Sequence, residues 1–420
     1  MLAYKVEQRP DYFSLVFICF LLPKWLSSQA ASKPDSTRVL ATAPAYTFNG
    51  FYSGYIILYI EEKTMKNLIL NPGSTSTKIA VYDGLTRVFS KKFIHPQKEL
   101  EKFPGIMDQK QYRSKAVIDT CNEQGIPIEQ ITMVIAIGGF LAPVTGGVYE
   151  VNDLMIRDLM SCNYGEHASN LGGVIAAEIA AGLKIKAYVA DPISTDEMQE
   201  VARLSGLPEI VRTGRVHTLN QKAVVRRAVK ELGVTVESAN FVVAHLGGGI
   251  SIGAHRGGFI VDSNDPRGEG PFCMDRPGSV HGFELAKLCY SGKYTEEEML
   301  ERLSDGGGVV AYMKTRDFFD VMRLYNEKDP TAIAVYNALV YQIAKEIGAE
   351  VAVLRGKVNA IILTGGMARE ACFIEDIKGY VGNFAKTMVY PGELEEEAMA
   401  TYAAAVASGE IKTRVYTGKS

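Results

Sequence analysis

Two short apolar strands in this chain run into a bend of small residues and return as a second strand. A third strand ends in the same kind of bend. Asn67-Leu-Ile-Leu70 leads into Asn71-Pro-Gly-Ser-Thr-Ser-Thr77, then Lys78-Ile-Ala-Val-Tyr82, and Asp83-Gly84 turns the chain again. Phe241-Val-Val-Ala-His-Leu246 leads into Gly247-Gly-Gly249 and returns as Ile250-Ser-Ile-Gly-Ala254. Val358-Asn-Ala-Ile-Ile-Leu363 ends in Thr364-Gly-Gly-Met367. A bend without side-chain bulk leaves backbone N–H groups and hydroxyls open to a phosphate. One such bend would be only a hairpin tip. Hairpins of this kind in both halves suggest a duplicated domain that holds a nucleotide between its copies. Other phosphate motifs do not compete: Gly356-Lys357 is followed by Val358 instead of Ser or Thr, and Gly247 to Gly253 does not run into a helical pattern.

Between the bends lie helical stretches: Asn170 to Ala181, Asn220 to Leu232, Thr331 to Gly348 after the start signal Asp329-Pro330, and an alanine-rich run from Glu395 to Ser408. Strands and helices mix throughout, which predicts α/β architecture with mixed sheets. The length of 420 residues favours at least two domains. With 45 basic against 48 acidic residues and a net charge of −3, the chain has no broad electrostatic footprint for nucleic acid. The six cysteines are far apart and form no Cys-x-x-Cys pair, which fits reduced thiols in the cytosol better than a disulfide frame or a zinc site.

Residues 1–64 show neither steady periodicity nor glycine bends and are expected to form an irregular extension outside the fold. The apolar run from Phe13 to Leu22, with Lys5 and Arg9 before it, mimics an export signal, yet it is far shorter than the ~20 residues of a membrane span. A dispensable extension is favoured, because Met65 directly precedes a well-formed strand. No membrane partner is expected.

Taken together, these segments resemble the acetate/butyrate kinase family. The resemblance rests on Asn71-Pro-Gly-Ser-Thr-Ser-Thr-Lys78, Gly165-Glu-His-Ala-Ser-Asn-Leu-Gly172, Val189-Ala-Asp-Pro192 and Ser205-Gly-Leu-Pro-Glu-Ile210. It continues in Leu219-Asn-Gln-Lys-Ala223, His245-Leu-Gly-Gly-Gly-Ile-Ser251 and Val389-Tyr-Pro-Gly-Glu393. It covers essentially everything after Met65. It implies two ribonuclease-H-like domains of the sugar kinase, Hsp70 and actin superfamily, with mixed sheets and a cleft between them. Residues 66–191 would form the first, completed by 397–413, and 192–396 the second. The implied reaction is reversible phosphoryl transfer between ATP, with Mg²⁺, and a short-chain fatty acid such as butyrate. Association into homo-oligomers is also implied.

By the same resemblance, Asn71, Ser74, Ser76 and Lys78 would line the phosphate side of the first domain. Asp191 would be the acid near metal and substrate, His217 would stabilise the transferring phosphoryl group, and Arg276 would neutralise the substrates. Gly247, Gly248 and Gly249 would hold the β and γ phosphates, Asp317 with Gly365 and Gly366 the nucleoside, and Glu393 the magnesium. Each has a plainer reading. Asp191 can simply open a turn before Pro192, His217 can be a satisfied core histidine, Arg276 can lie on the surface, and Glu393 can cap the last helix.

Departures from the family pattern bear on activity. Ile137 stands where the pattern carries an arginine before Gly-Gly, and Phe319 replaces an arginine on the nucleoside side. The loop from Asn264 to Gly270 is one residue short. One lost cation can cost on the order of 10²–10³ in rate. A nucleotide-binding homologue with weakened or lost catalysis and a regulatory role is therefore the alternative. Arg267 or Arg316, both in altered stretches, are candidates to supply the missing charge.

Overall fold

A computed structural model describes residues 65–418 in full and, before them, the backbone of 37–45 and 54–61. The chain divides into two units, 1–65 and 66–420. In the first, β1 (Thr37–Ala45) pairs antiparallel with β2 (Gly54–Glu61), with an irregularity between Val39 and Thr42. The extension expected to be irregular thus contains a two-stranded ladder, consistent with the β-branched and aromatic run Tyr55-Ile-Ile-Leu-Tyr-Ile60. The apolar run from Phe13 to Leu22 lies outside the described residues.

The second unit holds two mixed sheets. The first comprises β3 (Lys66–Pro72), β4 (Ser76–Asp83), β5 (Thr86–Ile94), β6 (Ile131–Ile137), β7 (Val148–Glu150), β8 (Lys186–Ala190) and β14 (Arg414–Val415), in the order β14-β7-β8-β6-β3-β4-β5. The second comprises β9 (Asn240–Leu246), β10 (Ile250–Arg256), β11 (Phe259–Ser263), β12 (Ala360–Gly365) and β13 (Thr387–Pro391), in the order β11-β10-β9-β12-β13. Each contains the same plan. Three antiparallel strands form a meander, and two later strands add in parallel beside the first of the three. The repeated plan is the duplication that the paired glycine hairpins suggested, and it has the ribonuclease-H-like topology that the resemblance implied.

Side-chain periodicity explains why the central strands are apolar on both faces. Along β9, Val242, Ala244 and Leu246 pack with Leu339 and Ile343 of the long helix Pro330–Val353, while Phe241 and Val243 pack with Val224 and Ala228 of helix Thr218–Leu232. Along β3, Leu68 and Leu70 meet Leu171 and Ile175 of helix Asn170–Leu183, while Ile69 faces Met399 and Ala403 of helix Glu395–Ala407. The long helix starts as its sequence signals: Asp329 accepts from the Ala332 amide at 2.8 Å, with Pro330 in the first turn. Among the described residues no helix is long and apolar enough to cross a membrane.

The bend between β3 and β4 is shaped from below by Arg113, a residue the sequence reading passed over. Its side chain is wholly buried. The guanidinium donates to the carbonyls of Gly73 (2.7 Å), Ser74 (2.9 Å) and Ser76 (3.3 Å) and to Thr77 Oγ1 (3.2 Å), while Gln109 Oε1 takes Nε and Nη2 at 3.0 and 2.7 Å. With these carbonyls gathered inward, the bend keeps one fixed shape. Replacing Arg113 by Met leaves several buried acceptors without donors, each costing about 1–3 kcal/mol. Arg113→Met is expected to lower unfolding stability by about 3 kcal/mol, read from denaturant midpoints. Arg113→Lys should recover only part of the loss, because an ammonium lacks the planar fork.

Candidate active site

Gly365, at the end of β12, sits at φ +96°, and a Cβ there would stand 2.4 Å from the Leu246 carbonyl oxygen, so only glycine fits. Its amide donates to Gly392 O at 2.9 Å and its carbonyl accepts from the Gly392 amide at 2.8 Å. The Gly365-Gly366 bend is thereby fastened to Tyr390-Pro-Gly-Glu393, which fixes where Glu393 leaves β13. Gly366 opens a short 3₁₀ turn and has no atom near the position of a Cβ.

At the neighbouring bend, Gly247 N–H donates to Gly249 O at 3.3 Å. A Cβ on Gly249 would lie 2.9 Å from Arg276 Nη1 and 3.6 Å from His217 Cε1, and one on Gly247 would lie 3.0 Å from His245 Nε2. The glycine bend, one arginine and two histidines therefore meet at one place. The loop carrying Arg276 is tied to that bend, since the Met274 amide donates to Gly248 O at 3.2 Å. Arg276 is thus no loose surface arginine, although about 30% of its side chain remains open to solvent.

His217 and His245 stack with ring centres 3.8 Å apart and planes 6° from parallel. Burial first, then His245, holds the His217 imidazole well below its ordinary value, and burial alone brings His245 down to about 4. Two stacked cations would repel, so both rings stay neutral at neutral pH. The tautomer of His217 follows from its partner. Ser251 Oγ already accepts from the His217 amide (3.3 Å) and from Gln221 Nε2 (3.0 Å). Its own proton therefore goes to His217 Nδ1, 2.8 Å away, leaving the ring proton on Nε2. Gln221 is oriented in turn by His255 Nε2, which donates to its Oε1 at 2.9 Å. Likewise Asn220 Nδ2 donates to His245 Nδ1 at 2.9 Å, while Asn220 Oδ1 accepts from the Leu394 amide at 2.8 Å.

Across the site, Lys78 Nζ lies 3.1 Å from Glu393, and Asn71 Nδ2 donates to Glu395 Oε2 at 2.6 Å. Asn71, Lys78, Glu393 and Glu395 line a cavity of about 80 Å³. Burial, then the negative charge of Glu393, pushes the Glu395 carboxyl up to about 7, against the pull of Asn71 and Lys78. Glu393 and its acidic neighbours hold the Lys78 ammonium above its usual value, although burial, the largest single influence, acts the other way. Glu393 and Arg276 also both act electrostatically on His217, which links the acidic side to the glycine bend. The plainer reading of Glu393 as a helix cap does not apply: helix Glu395–Ala407 begins after Leu394, and Glu393 turns to Lys78.

The other expected residues are placed differently. Asp191 follows β8 at φ +36°, a strained backbone for a non-glycine residue. Its buried carboxylate accepts from the Gly147 amide at 2.7 Å and from the Tyr402 hydroxyl at 2.6 Å, so it joins a loop of the first sheet to helix Glu395–Ala407. Ser74 and Ser76 give their carbonyls to Arg113, as described above. Asp317 caps helix Phe318–Asn326, accepting from the Phe319 amide at 2.9 Å, and Phe319 is exposed. Ile137 is buried in the core with Ile69, Ala80 and Ala190. Arg267 pairs with Asp265 at 3.0 Å, and Arg316 donates to the Asp305 carbonyl at 2.8 Å.

Sequence reasoning did not single out Ser251, Gln221, Asn220, His255 or Glu395. A signal was present for four of them, polar side chains at inward positions of an apolar strand or helix. For Glu395 nothing distinguished it from Glu396 and Glu397.

A small-residue bend in each of two repeated sheets, with cations and carboxylates held beside it, is an arrangement that can receive phosphate groups. The comparisons agree. The structure superimposes on a propionate kinase from Francisella tularensis with TM-score 0.65 at 17% identity, covering 80% of this chain and 98% of the other. Acetate kinase of Porphyromonas gingivalis gives the same TM-score, 0.65, at 17% identity over 82% of this chain and 100% of its own. The Acetokinase family model matches residues 205–382. Butyrate kinase 2 of Clostridium acetobutylicum is 44% identical over 352 residues, 84% of this chain and 99% of that protein. This chain belongs to the acetokinase family.

The tautomer assignment is directly measurable. Imidazole ¹⁵N spectra should show His217 and His245 as Nε2–H forms that do not protonate between pH 8 and pH 6. Ser251→Ala should release His217 to a mixture of tautomers. A His217 that protonates near pH 6.5 in the unaltered protein would refute the stacked neutral pair.

Proposed function

We propose that this protein transfers the γ-phosphoryl group of ATP to the carboxylate of a short-chain fatty acid, butyrate or a close relative, giving an acyl phosphate and ADP in a reversible, direct in-line step. One observation carries this reading: Arg276 and the Nε2–H tautomer of His217 flank the same glycine bend, Gly247–Gly249. The name and 44% identity of the clostridial butyrate kinase support the choice of acid.

The chemistry requires little else of the chain. A carboxylate with a pKa near 4 is already ionised and needs no general base. Its oxygen attacks phosphorus while the bond to the bridging oxygen of ADP breaks. The obstacle is the approach of one anion to another, so catalysis consists of positioning and positive charge. Gly248 and Gly249 offer backbone N–H groups to the β and γ phosphates, Gly247 shapes the bend through its own N–H on Gly249 O, and Arg276 neutralises both reactants. His217 donates from Nε2 to a transferring oxygen and, being neutral, gives up no proton. Lys78 and Asn71 face the phosphates from the first sheet with Ser74 and Ser76 beside them. Gly365, Gly366 and Asp317 belong to the nucleoside side. Asp191 serves through position, holding the Gly147 loop and Tyr402.

The residues present suit magnesium. Glu393 and Glu395 are hard oxygen donors crowded enough to raise one carboxyl, and Asn71 adds an amide oxygen. Among the described residues no group of three or more His, Cys, Asp or Glu forms a complete protein cage. Two carboxylates match an ion that keeps waters and binds mainly through substrate phosphates. When bound, magnesium would offset charge on the β and γ phosphates. We assign Glu393 as its principal carboxylate, with Glu395 beside it, and take 66–191 with 397–413 and 192–396 as the two lobes closing on the nucleotide. A cytosolic location, where ATP is plentiful, fits this reading.

Incubation with ATP, Mg²⁺ and acetate, propionate, butyrate or isobutyrate, with acyl phosphate trapped as the hydroxamate, tests the proposal. ATP-dependent product, greatest with a four-carbon acid, is expected. Nucleotide binding without product would favour a regulatory homologue instead. His217→Ala and Arg276→Ala should each lower kcat by roughly 10²–10³-fold while ADP binding, measured by calorimetry, changes much less.

A further inference from the structure

Arg215 lies two residues before His217 and is unlike the arginines around it. Arg203 has Asp196 at 2.6 Å, Arg212 has Glu269 at 2.8 Å and Asp262 at 3.2 Å, and Arg267 has Asp265 at 3.0 Å. The nearest acid of Arg215 is that same Asp265, at 3.9 Å, which Arg267 already holds more closely. Arg215 and Arg267 thus share one carboxylate, and Arg215 is left without an acid at close range where only 32% of its side chain meets solvent. Burial and the neighbouring Arg267 both act against its charge. A partly buried cation without a close acid partner is a place for an anion to complete.

Its direction shows which anion. The Arg215 guanidinium stands 5.7 Å from the ring centre of Phe140, in the loop that leaves β6 after Ile137-Gly-Gly139. The Phe140 ring meets His167 edge-on at 6.0 Å. Partial burial and then the charge of Arg276 hold the His167 imidazole below its ordinary value. Arg215, Phe140, His167 and Arg276 therefore follow one another, ending at the arginine that flanks Gly249. Ile137 supplies no charge at its strand end, and Arg267 and Arg316 are engaged elsewhere.

We propose that Arg215 binds the carboxylate of the acyl acceptor, beside the apolar face of Phe140, and delivers it toward the phosphoryl group held at Gly249. This rests on the carboxylate kinase reading above and names the cation that recognises the acid in this chain. Arg276 then serves the transferring group, Arg215 the incoming one.

The test separates the two claims. Apparent KM for butyrate and for ATP, kcat, thermal midpoint and butyrate binding by saturation-transfer NMR are measured for the unaltered protein, Arg215→Met and Arg215→Lys. A charge-assisted hydrogen bond of about 1.5–3 kcal/mol corresponds to a 10- to 150-fold change. Arg215→Met should raise KM for butyrate within that range, leave KM for ATP within about twofold, and abolish the NMR signal from bound butyrate; Arg215→Lys should recover part of each. A butyrate KM unchanged within twofold, or a joint loss of ATP affinity and thermal midpoint, would overturn the assignment in favour of a purely structural stack on Phe140. NMR does not require turnover. If the unaltered protein binds butyrate but forms no acyl phosphate, the kinase reading fails, and loss of that binding in Arg215→Met still upholds this site. If the unaltered protein binds no butyrate, both fail.

Discussion

The uncharged state of His217 is the condition on which the rest of the site depends. A protonated His217 would have to be held against both His245 and Arg276. Stacking His217 on His245 makes protonation of either ring costly, and the hydrogen bond from Ser251 decides which nitrogen keeps the proton. The chain of donors from His255 through Gln221 and Ser251 is buried and each link has one sense only. That sense follows from counting lone pairs on Ser251, so the position of the proton is a consequence of the fold and not of pH near neutrality.

The same polar layer joins the two sheets. Asn220 reaches His245 on β9 with its amide nitrogen and the Leu394 backbone with its oxygen, so one side chain sets both the stacked histidines and the start of the last helix. That helix lies on the first sheet through Met399 and Ala403, and its Tyr402 holds Asp191. Glu393, fixed on one side by the Gly365–Gly392 bridge and on the other by Lys78, stands where these elements meet. Acid and cation positions are therefore not independent: a shift of the last helix would move Glu395 from Asn71 and Tyr402 from Asp191 together.

How much of this could be read from the sequence depended on whether a residue's role lies in the backbone or in its neighbours. Strand, bend and return strand are local patterns, so the repeated plan of β3–β4 and β9–β10 was legible, as were the long helix and its Asp329-Pro330 start. Gly247, Gly249 and Gly365 were legible for the same reason, because they stand in bends of small residues, and at Gly365 the backbone leaves no room for a Cβ. Arg113 was not legible: it sits far along the chain from the four acceptors it gathers, in a helix with little amphipathic character. Glu395 looked like any of three successive glutamates, and only packing sets it against Asn71. Asp317 also caps helix Phe318–Asn326, a local role its place before that helix could have signalled.

The departure at Ile137 has a physical reading once its surroundings are known. The residue ends β6 with its side chain among Ile69, Ala80 and Ala190, a setting where a guanidinium would have to be desolvated among apolar side chains. Isoleucine removes that cost and lets the strand end close over the apolar core. A cation placed instead on the loop before His217 rests on an aromatic face and keeps about a third of its side chain in contact with water. The charge is then kept beside Phe140 without burying it in the sheet, and core packing at β6 is left to apolar side chains.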